Sequence, residues 1–191
     1  MFTAVARLFI LGDMKIDWAE IMLPCMRKIR ARFHETVGLA VLEEPSAVGI
    51  IVAAVQETGR FGFTLCTGHR FPIHTGAPAK AMLAFLPDEE RERMLNSIEY
   101  KRFNSRTIKN KKELLKALET ARVKGFALDL AERIEGLHGV ASPIMNYLNY
   151  PVAAIWVTGP SYRMSEPELE RLGPIVKKYA GKISQRLGYE S

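Results

Sequence analysis

Apolar positions along this 191-residue chain recur first at helical spacing, then at every second residue, then at helical spacing again, and the switches mark its elements. Residues 2–11 are largely apolar and read as a helix from Phe2 to Leu11 that stops at Gly12. Asp17 with Glu20 three residues on is a capping-box pattern, and Trp18, Ile21, Met22, Cys25, Ile29 and Phe33 follow at spacings of three and four. That spacing predicts an amphipathic helix with Arg27, Lys28, Arg30 and Arg32 in water, kinked or split at Pro24. From Val37 the period falls to two. Leu39 and Val41 oppose Ala40 and Leu42, Pro45-Ser46 turns the chain, and Val48 to Val55 is almost unbroken apolar, as an interior strand is. Phe61, Phe63 and Leu65 alternate with Gly62, Thr64 and Cys66 and predict the third strand of an antiparallel meander.

The stretch from Gly68 to Lys80 then turns strand into helix. Pro78 suits a first helical turn, and Lys80, Ala81, Leu83 and Ala84 are good helix formers. The amides of Gly76 and Ala77 fall at the helix start, where the helix offers them no acceptor and its dipole favours an anion such as a carboxylate. Pro87 stops this helix, and a short charged one runs from Asp88 to Ile98. Asn110 with Glu113 starts a helix bearing Leu114, Leu115, Leu118 and Ala121, closed by Lys124-Gly125. In the next strand Phe126, Leu128 and Leu130 share a face and Asp129 points the other way, with Glu132 and Glu135 in the connection that follows. Two more strands, Leu137 to Ile144 and Pro151 to Thr158, lead to a final helix. Ser165 and Glu168 cap it, Pro174 bends it and Gly188 ends it. Strand blocks around a helical middle, with a packing helix last, predict an α+β domain on a mostly antiparallel sheet.

Composition narrows the function without naming it. With 48% apolar residues the chain buries one good core. Cys25 and Cys66 sit in apolar periodic segments and read as buried thiols of a reducing cytoplasm rather than a disulfide or metal site. The net charge of +6 admits an acidic partner. Its densest stretch, Lys101 to Lys112, has neither aromatic interleaving nor a recognition-helix pattern and reads as a solvated loop. There is no GxGxxG, P-loop, HExxH or GxSxG, and no cofactor is expected. His69, His74, His138 and Asp129 match no metal-ligand spacing, and His74 reads as a brace for its loop.

Four stretches in order carry a family resemblance: Phe71 to Ala81, Lys124 to Asp129, Gly136 to Pro143, and Pro151 to Pro160. Together they resemble the effector-binding domain of the IclR family of bacterial and archaeal transcription regulators, over about Asp17 to Gly188. The resemblance implies a GAF/profilin-like α+β sheet flanked by helices, binding a small organic acid or aromatic metabolite and acting through dimers or tetramers in the cytoplasm, not at a membrane. Residues 1–15 then correspond to the remnant of a linker helix and 16–191 to the effector-binding domain. DNA would be met only through a winged helix-turn-helix that this chain lacks.

Carried over position by position, the effector-binding residues fall on Gly76, Ala77, Asp129, Gly139, Trp156 and Thr158, with the effector's carboxylate on the Gly76 and Ala77 amides. Two of these depart from the family's small-acid sensors. The Trp156 position is small and polar there, and the Gly139 position carries a hydrogen-bonding side chain. Trp156 either stacks on an aromatic ligand or fills the pocket, with Gly139 making room for it, and a glyoxylate-like or pyruvate-like effector fits poorly. Two other functions remain open on the sequence alone. One is a small hydrolase using Cys66 or Asp129 with a histidine, and the other is a dimerisation module built on the apolar N-terminal helix.

Overall fold

The computed structural model describes residues 18–43, 46–59 and 61–190. The expected helix over Phe2 to Leu11, its Gly12 stop, the Asp17 cap and Pro45 of the first turn lie outside them. The first described element is one continuous helix, α1 (Trp18–Phe33), with Pro24 inside it. The missing proline donor removes one helix bond and does not split the helix, because Met22, Met26 and Ile29 are wholly buried along one stripe.

Two strands follow as the period-two pattern requires, β1 (Thr36–Glu43) and β2 (Val48–Val55). The third strand is not the Phe61 segment. It is the short β3 (Arg70–Pro72), paired antiparallel with Val48 to Ile50. Residues 61–69 form an irregular arm instead, with Phe61 76% exposed. The Gln56 amide satisfies both backbone groups of Leu65, donating to its carbonyl at 2.7 Å and accepting from its N–H at 3.2 Å. With those groups taken by a side chain, alternation there has no ladder to join. A tight turn at Cys66 to His69, with Gly68 at φ 85, brings the chain back to the sheet.

Helices α2 (Ala77–Leu83), α3 (Asp88–Asn96) and α4 (Lys111–Lys124) come next. Asn110 caps α4 as its sequence predicts, its side-chain oxygen accepting from Glu113 N–H at 2.9 Å. Strands β4 (Ala127–Leu130), β5 (Leu137–Met145) and β6 (Pro151–Pro160) and the long helix α5 (Glu166–Arg186) complete the described chain. Ser165 stands at the start of α5, but its hydroxyl makes no cap bond, and Glu168 pairs with Arg171 instead. The helix runs unbroken through Pro174.

The six strands form one antiparallel sheet in the order β3-β2-β1-β6-β5-β4. Its two faces carry different residues. One presents Val37, Leu39, Val41, Val140, Ile144, Ile155 and Val157 to α1 and α5. The other presents Ala40, Ala127, Ala141, Ala154 and Trp156 to α2, α3 and α4. No helix among the described residues is long and apolar enough to cross a membrane.

Candidate functional site

On the small-residue face the sheet and its helices part to leave a cavity of about 370 Å³. Register sets its floor. Asp129 of β4 lies opposite Gly139 of β5, which lies opposite Thr158 of β6, so three neighbouring strands place them in one row. Trp156, two residues along β6, shares that face and lines the same space. Gly76, Ala77 and Pro78 at the start of α2 form one wall. Leu65, Cys66 and Phe71 form another, and Arg133 and Ile134 stand at the β4–β5 connection. The six residues singled out in the sequence, Gly76, Ala77, Asp129, Gly139, Trp156 and Thr158, therefore meet at one cavity.

Trp156 is seated by a different glycine from the expected one. A β-carbon on Gly38, its cross-strand partner in β1, would stand within the indole ring, so Gly38 supplies the seat. A β-carbon on Gly139 would instead lie 3.2 Å from the Val157 carbonyl and 3.6 Å from the Thr158 side chain, away from the indole. Trp156 is 5% exposed. It fills part of the face and still borders the cavity. The Thr158 hydroxyl donates to the His138 carbonyl at 2.9 Å, which commits its proton and leaves its oxygen an acceptor.

The start of α2 is already engaged from within. Gly76, at φ 83 and ψ 150 where a side chain would be strained, donates its N–H to Glu132 Oε2 at 2.9 Å. The other oxygen of Glu132 takes the Lys80 ammonium. Lys80 is 3% and Glu132 8% exposed, so this is a buried ion pair, 52 residues apart in sequence. The Thr107 hydroxyl donates to the Glu132 carbonyl at 2.7 Å and fixes the same turn. Asp129 Oδ1 accepts from the Glu132 N–H at 3.0 Å. Burial, and then the charge of Glu132, push the Asp129 carboxyl up to about 7, against the opposing pull of Lys80. Near neutrality Asp129 is thus poised between an acceptor and a hydroxyl donor.

Sequence reasoning missed the Lys80–Glu132 pair and the cavity role of Arg133. A signal existed for the first, since a lysine inside a wholly apolar helical turn requires an anion. Cys66, expected buried within a strand, is exposed at the cavity, and Cys25 is half-buried in α1. His74 braces its loop, its Nε2 donating to the Lys101 carbonyl at 3.0 Å while its ring packs by Phe103 and Tyr100. His138 is likewise bound to the Met164 carbonyl, Nδ1 to oxygen 2.8 Å. His69 lines the cavity beside Arg133.

The sequence profile described as bacterial transcriptional regulator IclR C-terminal matches residues 13–185. The chain is similar to the HTH-type transcriptional regulator KdgR of Escherichia coli (strain K12), 28% identical over 191 residues, covering 98% of this chain and 72% of that protein. It is similar too to the HTH-type transcriptional repressor AllR of the same strain. The match there is 31% identical over 175 residues and covers 92% of this chain and 64% of the repressor. Among solved structures, the IclR protein of Thermotoga maritima superposes with a TM-score of 0.84 at 28% identity, covering 92% of this chain and 70% of that one. The chain thus spans between 64% and 72% of the length of these three relatives.

Proposed function

The chain belongs to the IclR C-terminal family of bacterial transcriptional regulators, and from that premise we propose that its cavity is where a small organic acid or aromatic metabolite binds as effector. The matched relatives are transcriptional regulators, so this is a regulatory domain and not an enzyme. One observation supports the cavity as the effector site. Gly76, Ala77, Asp129, Gly139, Trp156 and Thr158 come from four separate elements and border a single space lined mainly by apolar groups with a few convergent polar ones. Trp156 offers a flat wall to the body of a ligand. Asp129 and Thr158 read its polar end, and the backbone at Gly76 and Ala77 closes the side.

In the whole protein, occupancy would favour one arrangement of a dimer or tetramer over another and so change DNA affinity through a domain outside this chain. The size of the response equals the ligand's differential affinity for the two arrangements. The test is a thermal-shift screen of this chain against small aliphatic and aromatic acids. A ligand at a hundred times its dissociation constant adds about 2.7 kcal/mol to stability. A saturable shift that disappears in Asp129→Ala is the expected result. A shift that survives unchanged in both Asp129→Ala and Thr158→Val would place the ligand elsewhere.

A further inference from the structure

The charges around the cavity are unevenly distributed. Asp129 lines its inner side, Glu132 stands behind the Gly76 wall, and the cation there, Lys80, is already committed to Glu132. Of the two amides a ligand carboxylate would seek at the α2 start, that of Gly76 is committed to Glu132 as well. An anion pushed to this end would meet two carboxyl groups and compete with an internal one for the same N–H. The mouth is the reverse. Arg133 lines it half-buried, and among the described residues it forms no ion pair. Its guanidinium lies 5.8 Å over the Phe103 ring and donates to His69 Nε2 at 3.4 Å, contacts that orient a planar cation without neutralising it.

Resting on the cavity as the effector site, we propose that Arg133 is the specificity-determining residue that takes the effector's acid group at the mouth, so that the ligand lies with its anionic head outward and a neutral hydroxyl against Asp129 and Thr158. This orientation is opposite to one with the carboxylate on the Gly76 and Ala77 amides. It names the ligand class as a monocarboxylate with a hydroxyl at its far end, long enough to run from Arg133 across the Trp156 face to the β4–β6 row. The guanidinium fork suits a carboxylate in two-point contact, which a lysine ammonium cannot reproduce. At the inner end a hydroxyl, which donates and accepts at once, can give its proton to the Thr158 oxygen and accept one from a protonated Asp129.

The experiment uses the full chain and two matched pairs of probes, 4-hydroxyphenylacetate with 4-hydroxyphenylacetamide and 6-hydroxyhexanoate with 6-hydroxyhexanamide, titrated by calorimetry. In the unaltered protein an acid is expected to bind about tenfold more tightly than its amide, the factor one charged hydrogen-bonded pair supplies. In Arg133→Met that preference should vanish, the acid weakening while the amide holds. Arg133→Lys should restore part of it. Among the described residues the guanidinium of Arg133 engages the Phe103 ring and His69 and no carboxylate, so the unliganded melting point should change little, and lost binding then cannot be ascribed to lost fold. An acid preference that persists in Arg133→Met, or amides binding as tightly as acids, overturns this orientation and leaves the cavity as the effector site. Silence from both pairs while another acid of the wider screen binds overturns the ligand class named here. Silence of the whole screen counts against the cavity itself.

Discussion

The two faces of the sheet are built from the same strands, residue by alternate residue, yet they do opposite things with volume. Toward α1 and α5 the strands carry Val37, Leu39, Val140, Ile155 and Val157, all at most 4% exposed, with the two helices packed over them. Toward α2, α3 and α4 the matching positions are Gly38, Ala40, Gly139, Ala141 and Ala154, and one large indole takes up much of what the small residues leave free. What Trp156 does not fill is the cavity. The difference shows how one sheet can be anchored and hollow together: the packed face supplies rigidity, and the depleted face spends side-chain volume to make a floor a ligand can lie on. The helices over the depleted face still pack by apolar contact, through Met82, Leu83, Leu95 and Leu114, and they add a buried ion pair between Lys80 and Glu132.

That contrast can be broken from either side. Lys80→Met should be the most damaging single change, about 3–5 kcal/mol, because it leaves the Glu132 carboxylate buried without its cation. Urea unfolding of Lys80→Met beside the double variant Lys80→Met/Glu132→Leu measures it, and the double variant should recover most of the loss. Ile155→Ala on the packed face should cost about 2–5 kcal/mol, as a wholly buried isoleucine with no room to collapse does. Ile51→Ala, whose side chain already borders the cavity, should sit at the low end of that range, and equal losses at the two positions would show that the faces are packed alike. The last effect is on pH dependence. A carboxyl raised in the fold adds stability that is present in full below its ordinary value of 3.8 and is lost as pH climbs to about 7, since the unfolded chain gives up its proton first. Melting points followed from pH 4 to 8 should therefore fall less steeply in Asp129→Asn than in the unaltered chain.

Much of this was legible in the chain. Alternation placed β1, β2, β5 and β6, the Asn110 cap and the Gly76 turn fell where local chemistry puts them, and the ordered motifs brought six residues to one cavity. The failures share a cause. The expected Phe61 strand rests on a period of two, which reports which side chains alternate and not whether the backbone has a free partner. Gln56 had removed that partner. The seat of Trp156 at Gly38 is a cross-strand neighbour 118 positions away, and Glu132 reaches Gly76 and Lys80 across more than fifty. Such pairings exist only once the sheet order is known. Arg133 had no local pattern at all, and only the fold shows that it lines the cavity without an ion pair among the described residues.

The clasp between Gln56 and Leu65 also bears on how such a pocket can change over generations. It grips the arm by the main-chain N–H and carbonyl of Leu65, groups that every residue except proline supplies alike, so the attachment is indifferent to the side chains it holds in place. Thr64, Leu65 and Cys66, which face the cavity, can thus be exchanged for larger, smaller or more polar ones while the arm stays moored to β2. A new chemical taste can be acquired there by drift in three codons, with the sheet, its floor and its ion pair inherited unchanged.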